Sequence, residues 1–200
     1  HRGILINDED WGLTPWSYKN HEPSDIKGQI GPKTHARIFE LLLRLRANTF
    51  WPAMHECSVA FYMTPGNKQM ADKYGIYVGS SHCEPMNRNT NFEWKKAGTG
   101  EYNYITNRES ILKFWEERTT QLAASDNIYT LGIRGVHDGK MQGANTVQEQ
   151  KEALTQILKD QREMIKRIIN PDIEKVSQVF IPYKEVLDVY NAGLEVPDDV

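Results

Sequence analysis

Five short apolar runs, each ending in a cluster of polar residues, constrain this chain more than any other feature of its 200 residues. Apolar strands that alternate with helices are buried on both faces and form parallel sheets, in which polar groups gather at the C-terminal ends of the strands. We therefore expect the polar clusters to converge on one face. The runs cover residues 3–6, 48–54, 76–79, 128–133 and 178–182, and the polar residues after them are 7–10, 55–57, 80–84, 134–138 and 183–185.

Helix signals between the runs complete a strand–helix order that repeats five times. Pro32 is typical of a first helical turn, and Thr106 with Glu109 and Thr146 with Glu149 have capping-box spacing. This order predicts an α/β protein with parallel strands. Two architectures fit it: an open doubly wound sheet, and a partial TIM barrel with about five of its eight (β/α) units. No glycine-rich dinucleotide loop follows the first run, which favours the barrel.

The bulk composition limits the class of protein. A hydrophobic content of 39%, a charged content of 26% and a net charge of -3 fit a soluble globular domain and argue against a dedicated nucleic-acid binder. No apolar stretch approaches the ~18 residues of a membrane span. Cys57 and Cys83 are too few for a disulfide scaffold. Residues 194–200 resemble the approach to a further strand, so we interpret the chain as a piece of a larger protein.

Carboxyl groups lie at or just after every predicted strand. Cleavage of a glycosidic bond needs two of them, one to protonate the leaving oxygen and one to activate water or attack the sugar. The chain has more candidates than this, so most would serve helix caps, strand-end hydrogen bonds or ion pairs with arginine. The candidates are Asp8, Glu9, Asp10, Glu56, Glu84, Asp138 and Glu185.

Arg134 stands where the fourth apolar run stops, and a guanidinium at the mouth of a barrel needs an anionic partner. Two partners fit: a neighbouring carboxylate of the protein, or a substrate carboxylate held in a bidentate clamp. Gly135 and Gly139 flank His137 and Asp138 and allow the backbone to turn sharply there. The segment that follows this run is therefore a candidate for both binding and chemistry.

Two long connections, residues 11–31 and 84–105, carry aromatic side chains. Aromatic loops suit a carbohydrate cleft, because sugar rings have apolar faces that pack on aromatic rings. The alternative is that these side chains anchor the loops to the body of the protein. They are Trp11, Trp16, Tyr18, Trp94, Tyr102 and Tyr104.

A metal-dependent hydrolase is an alternative that rests on histidine and cysteine residues near the strand ends. Their spacing lacks the CxxC or HxxxH pattern of zinc sites, and hydrogen-bonding histidines with buried thiols explain them equally well. Cys57 as a nucleophile with a histidine partner is a further alternative. The residues are His55, Cys57, His82, Cys83 and His137.

Several longer blocks of the sequence together resemble one family of carbohydrate-active enzymes. The blocks are residues 6–12, 31–34, 41–45, 47–49, 51–55, 70–75, 79–86, 129–132, 137–139, 182–186 and 196–199. They are similar over essentially the whole chain to glycoside hydrolase family 115, the xylan α-1,2-glucuronidases. The resemblance implies that residues 1–200 are the N-terminal part of a (β/α)8 catalytic domain within a larger enzyme. That enzyme removes glucuronic acid, or its 4-O-methyl ether, from xylan side chains with inversion.

The resemblance also implies roles for individual residues. Asp138 and Glu185 match the essential carboxylates, no cofactor or metal is needed, and the enzyme acts outside the cytoplasm. Its partners would be glucuronoxylan or aldouronic acids, without nucleic acid or membrane, and a dimeric full-length enzyme is left open. The expected substrate-binding residues are Asn7, Asp8, Glu9, Asp10, His55, His82, Glu84, Arg134, His137 and Tyr183. The competing hypothesis is that the chain is a catalytically inert fragment or a sugar-binding remnant of such a barrel.

Overall fold

A computed structural model describes residues 1–7 and 10–200. The chain divides into two compact units. The first unit contains residues 1–79 and 125–127, and the second contains residues 80–124 and 128–200. Both units combine helices with parallel strands, which confirms the predicted α/β class and the predicted strand direction. No helix among the described residues combines the length and the apolar character needed to cross a membrane.

A parallel sheet forms the centre of the first unit. Its strands are β1 (Gly3–Leu5), β2 (Thr49–Trp51) and β3 (Tyr77–Val78). They pair in the order β1–β2–β3, so that Phe50 lies between Ile4 and Val78 in the register. Val78 also forms a parallel bridge with Asn127. The first three apolar runs therefore pair in sequence order, as the repeating order predicts.

The helices of this unit are α1 (Leu13–Asn20), α2 (Pro32–Arg44) and α3 (Asn67–Tyr74). Residues of α2 and α3 pack with residues of the sheet in one hydrophobic cluster. Phe39 of α2 packs edge-on against Phe50, with ring centroids 5.4 Å apart. α1 forms within residues 11–31, where only a loop is predicted. Its buried residue is Ser17, whose hydroxyl lies 2.6 Å from that of Thr34, so it lacks the apolar stripe by which a helix is recognised in a sequence.

The second unit has a two-stranded parallel sheet, in which β4 (Tyr129–Leu131) pairs with β5 (Gln178–Phe180). The predicted capping box at Thr146 is present: the Thr146 hydroxyl accepts from the Glu149 N–H, and the Glu149 carboxylate accepts from the Thr146 N–H. The predicted box at Thr106 is absent, because the helix there begins one residue later, with Asn107 as its N-cap. The helices are α4 (Trp94–Ala97), α5 (Arg108–Gln121), α6 (Val147–Ile168) and α7 (Glu185–Asn191).

The core of the second unit is rich in aromatic side chains. Trp115 of α5, Tyr129 of β4 and Ile157 of α6 are at most 1% exposed. Three aromatics of the connection 84–105 belong to this core, and the Trp94 ring packs edge-on against Tyr102 and Phe114. In that connection the aromatics are therefore anchors. In the first unit the aromatics of the connection 11–31 are largely exposed: Trp11, Trp16 and Tyr18.

Candidate active site

The backbone after β4 is fixed by a buried glutamine. Gly132 follows β4 directly and has a φ of +96°, a conformation that favours glycine. The side-chain amide of Gln161 on α6 accepts from the Gly132 N–H at 2.8 Å and donates to the Gly132 carbonyl at 2.9 Å. Gln161 is fully buried. This pair of hydrogen bonds sets the direction of the chain two residues before Arg134.

Arg134 joins the two carboxylates that the resemblance identifies as catalytic. Its Nε and Nη2 donate to Oε1 and Oε2 of Glu185 at 3.0 and 2.8 Å, and its Nη1 donates to Oδ1 of Asp138. The guanidinium is only 2% exposed, whereas Glu185 is 13% and Asp138 is 33% exposed. The bidentate geometry is the strongest form of arginine–carboxylate pairing. Of the two partners left open by the sequence, the guanidinium here binds protein carboxylates.

Asp138 collects three donors. Besides Arg134, it accepts from His82 Nε2 at 3.1 Å and from Lys184 Nζ. Partial burial opposes its ionisation, but the hydrogen bonds from Lys184, His82 and Arg134 outweigh burial and hold the pKa of Asp138 well below its usual range. Burial lowers the pKa of His82 despite the neighbouring carboxylate. A neutral His82 must then carry its proton on Nε2, because an ionised carboxylate can only accept.

Both carboxylates follow residues with unusual backbone angles. His137 precedes Asp138 with a φ of +53°, and Lys184 precedes Glu185 with a φ of +51°. A residue with a β-carbon is strained in this region, by on the order of 1–3 kcal/mol, and such residues cluster at functional sites. The His137 N–H donates to the Thr90 hydroxyl at 2.8 Å, which helps to hold the turn. The sharp turns direct Asp138 and Glu185 toward the same guanidinium.

Tyr183 forms one wall of this group. Its ring lies 4.2 Å from the His82 ring, centroid to centroid, and 5.6 Å from the Arg134 guanidinium carbon. The Lys184 ammonium lies 5.3 Å from the same ring centroid. Tyr183 is 41% exposed, so part of its side chain is accessible to a ligand beside the charged groups. We call Arg134, Asp138, Glu185, His82 and Lys184, with Tyr183 beside them, the carboxylate cluster.

Glu84 has a different environment, since it is buried and 5% exposed. Its Oε1 accepts from Asn89 Nδ2 at 2.8 Å, whereas its Oε2 has no hydrogen-bond partner among the described residues. Burial raises the pKa of Glu84 to about 8. At neutral pH the side chain is therefore mainly a neutral acid. The contact with Asn89 ties Glu84 to the loop that carries His82, and a role of Glu84 in substrate binding stays a prediction.

A buried ion-pair network secures the same loop. Both Arg88 and Arg118 donate to Oε2 of Glu93 at 2.6 Å, and all three residues are at most 7% exposed. Arg88 also lies over the Phe114 ring, 4.1 Å from its centroid. This network was not predicted, because no local pattern in the sequence indicates that three charged residues share a buried contact.

The burial of Glu84 leads to a prediction about pH. The folded protein holds a proton on Glu84 up to about pH 8, whereas the unfolded chain releases it near 4.5. The contribution of neutral Glu84 to the free energy of unfolding is therefore fully present below pH 4.5. It falls by up to about 1.4 kcal/mol per pH unit above that and is lost as pH rises through 8. Glu84→Gln should fold and should lose this slope in urea titrations at pH 5 to 8. The exposed control Glu163→Gln should keep the wild-type slope. A slope in Glu84→Gln as steep as in this control would contradict the assignment.

In the first unit, the structure brings two of the predicted binding residues together. Asn7 Oδ1 lies 3.3 Å from His55 Nε2. This contact follows from the sheet, because both residues come after neighbouring parallel strands. Asp10 is exposed. Asp8 and Glu9, which were also predicted to bind substrate, lie outside the described residues.

The metal alternative and one of the two cysteines can be compared with the structure. Within residues 1–7 and 10–200, no group of three or more histidine, cysteine, aspartate or glutamate side chains is placed to hold a metal ion. Burial raises the pKa of Cys83 to about 12, which opposes formation of a thiolate at that residue, whereas the alternative that Cys57 is a nucleophile stays a hypothesis. His82 of this predicted set instead belongs to the carboxylate cluster.

Lys184 is the member of the cluster that the sequence analysis missed. It sits between Tyr183 and Glu185, both of which were singled out, and its ammonium binds Asp138. The sequence offered one signal for Lys184, because a cationic residue stands there between two expected site residues after the fifth apolar run. The remaining predicted site residues of the second unit, His82, Arg134, His137, Asp138, Tyr183 and Glu185, lie around the ends of β4 and β5.

Comparisons with known proteins agree on a family. The family model described as glycosyl hydrolase family 115 matches residues 1–200. A solved structure described as a novel family GH115 4-O-methyl-α-glucuronidase, BtGH115A, with specificity for decorated arabinogalactans, is 60% identical to this chain with a TM-score of 0.97. That match covers 100% of this chain and 26% of the other, so the chain spans about a quarter of that protein.

A second solved structure is much less similar. The Prevotella bryantii endo-β-mannanase/endo-β-glucanase PbGH26A-GH5A aligns with 12% identity and a TM-score of 0.48, over 94% of this chain and 29% of that one. This likeness is too low to bear on function. No functionally curated protein matches the chain significantly.

Proposed function

Because the chain belongs to glycosyl hydrolase family 115, we propose that it supplies the catalytic carboxylates of an α-glucuronidase. The enzyme would remove α-linked glucuronic acid, or its 4-O-methyl ether, from the side chains of a polysaccharide. The observation that carries this proposal is the binding of Asp138 and Glu185 by one buried guanidinium, that of Arg134. Two carboxyl groups held side by side are what glycoside hydrolysis requires.

The proposed reaction is a hydrolysis with inversion. One carboxyl group would protonate the leaving oxygen while the other takes a proton from the attacking water. The water needs room, so the two carboxyl groups of an inverting enzyme stand about 6.5–9.5 Å apart, against about 5 Å in a retaining one. The family resemblance indicates inversion, so we propose the wider spacing for Asp138 and Glu185. We also propose that the strand–helix order continues into an eight-fold barrel in the complete enzyme.

Two polysaccharides are candidate substrates. Glucuronoxylan, with its aldouronic acid fragments, is the substrate class that the family resemblance indicates. The arabinogalactan specificity given for the 60% identical structure favours decorated arabinogalactans as the second candidate. Both would present the same terminal uronic acid to the carboxylate cluster. Since such polymers lie outside the cell membrane, we propose a secreted or periplasmic enzyme.

A direct assay tests the proposal. The protein expressed from its complete coding sequence is incubated with aldouronic oligosaccharides and, separately, with glucuronidated arabinogalactan oligosaccharides. Released glucuronic acid is then measured by chromatography. We expect release from at least one substrate and none with Asp138→Ala, while Glu163→Ala, which removes an exposed carboxylate of α6, behaves as wild type. A folded protein that releases nothing but still binds the oligosaccharides would favour the sugar-binding remnant instead.

A further inference from the structure

The geometry points to Lys184 as the residue that binds the carboxylate of the uronic acid and so selects a charged sugar over a neutral one. This inference rests on the proposed function and deepens it, because the family resemblance and the sequence pattern placed that role on Arg134. Three observations in the carboxylate cluster carry it: the engagement of Arg134, the open ammonium of Lys184, and the backbone conformation of Lys184.

Arg134 is committed to the protein. Three of its nitrogens donate to Glu185 and Asp138, and the side chain is 2% exposed. A guanidinium has five N–H donors, so two remain, but they belong to a side chain that is almost fully buried. A substrate carboxylate therefore has little access to them. Arg134 is therefore placed to position Asp138 and Glu185 rather than to receive a third anion.

Lys184 has the opposite character. Its side chain is 49% exposed, and Asp138 is the only described residue that accepts a hydrogen bond from its ammonium. An ammonium has three N–H donors, so two remain for an incoming acceptor. The same ammonium lies 5.3 Å from the centroid of the Tyr183 ring, and Tyr183 is itself partly exposed. A sugar packed on Tyr183 would bring its carboxylate to the free donors of Lys184.

The backbone of Lys184 supports a functional role for this side chain. Its angles, φ 51° and ψ −123°, lie where glycine is favoured and where a β-carbon is strained. A glycine would relieve that strain, yet a long cationic side chain stands here. The conformation places the ammonium above Tyr183 and against Asp138. The strained position thus fixes a positive charge at the accessible side of the cluster.

The test compares a charged ligand with a neutral one of similar shape. Inhibition constants for glucuronate and for glucuronamide are measured against hydrolysis by the protein expressed from its complete coding sequence. In Lys184→Gln, glucuronate should inhibit on the order of 10- to 100-fold less well, as expected for the loss of one charge-assisted contact, while inhibition by glucuronamide stays nearly constant. Lys184→Arg should recover most of the preference, and the exposed control Lys175→Gln should match wild type.

A glycine variant keeps the test independent of folding. Lys184→Gly suits the positive φ, so it should melt no lower than wild type and should still lose the preference for glucuronate. A preference that survives in both Lys184→Gln and Lys184→Gly would overturn the inference, even if turnover falls through the contact with Asp138. A wild-type protein that neither hydrolyses α-glucuronosides nor binds glucuronate would instead overturn the proposed function itself.

Discussion

Asp138→Ala should reduce turnover on aldouronic acids by about a thousandfold or more, and Glu185→Gln should do the same. The reason is that each change removes one of two carboxyl groups that must act in the same step, and loss of a general acid or base typically costs 10²–10⁴-fold. The Lys184 ammonium released by Asp138→Ala is half exposed, so water can solvate it. Glu185→Gln keeps the shape of the side chain beside Arg134. Both variants should therefore fold.

Initial rates of glucuronic acid release, measured alongside thermal melting, check this prediction. Glu163→Ala serves as the matched control, because it removes an exposed carboxylate of the same unit. A wild-type rate in either active-site variant would remove that residue from the catalytic pair. A variant without a melting transition would show that the residue is needed for folding. The rate would then be measured in a milder substitution such as Asp138→Asn.

Arg134→Ala should abolish activity and also destabilise the fold. Removing one partner from a buried ion pair leaves the other charge uncompensated, at a cost of about 3–5 kcal/mol. Glu185 is 13% exposed and Asp138 a third exposed, so water can partly compensate and we expect the lower end of that range. Arg134→Lys should be intermediate, because an ammonium cannot reproduce the bidentate geometry toward Glu185.

Urea titrations of the three proteins at neutral pH, followed by circular dichroism, measure this effect. A midpoint for Arg134→Ala equal to that of wild type would show that the guanidinium does not hold the carboxylates together. If activity disappears without any loss of stability, the result would indicate instead that Arg134 binds the substrate carboxylate directly. The pairing in the structure predicts that stability and activity fall together.

The order of the elements was predictable because strand–helix alternation leaves few ways to pair strands. The runs before Asn7 and His55 pair in parallel, and the residues after them meet. The same reasoning brought Arg134 and Glu185 to adjacent strand ends. The predicted N-cap at Thr106 was wrong by one position, because Asn107 is the N-cap of that helix. Capping signals in a sequence locate a helix end only to within one or two residues.

Contacts of the long loops could not be predicted from sequence. Glu84 follows a strand like the other candidates, yet it is buried against Asn89, and only the path of residues 84–93 explains why. The buried pairing of Glu93 with Arg88 and Arg118 depends on the same path. The alternation of strands and helices predicts which charged residues lie at the end of a strand. The partner of each such residue depends on the path of the loop, and a loop has no periodic sequence pattern from which its path could be predicted.

The stereochemistry of the released sugar distinguishes inversion from retention at the carboxylate cluster. Proton NMR records the first minutes of hydrolysis of an aldouronic acid by the protein expressed from its complete coding sequence, before the anomers equilibrate. We predict that β-glucuronic acid appears first from the α-linkage, because in the proposed reaction one carboxyl group protonates the leaving oxygen while the other activates a water on the opposite side of the sugar. Early appearance of the α anomer would contradict it, as would the absence of any glucuronic acid.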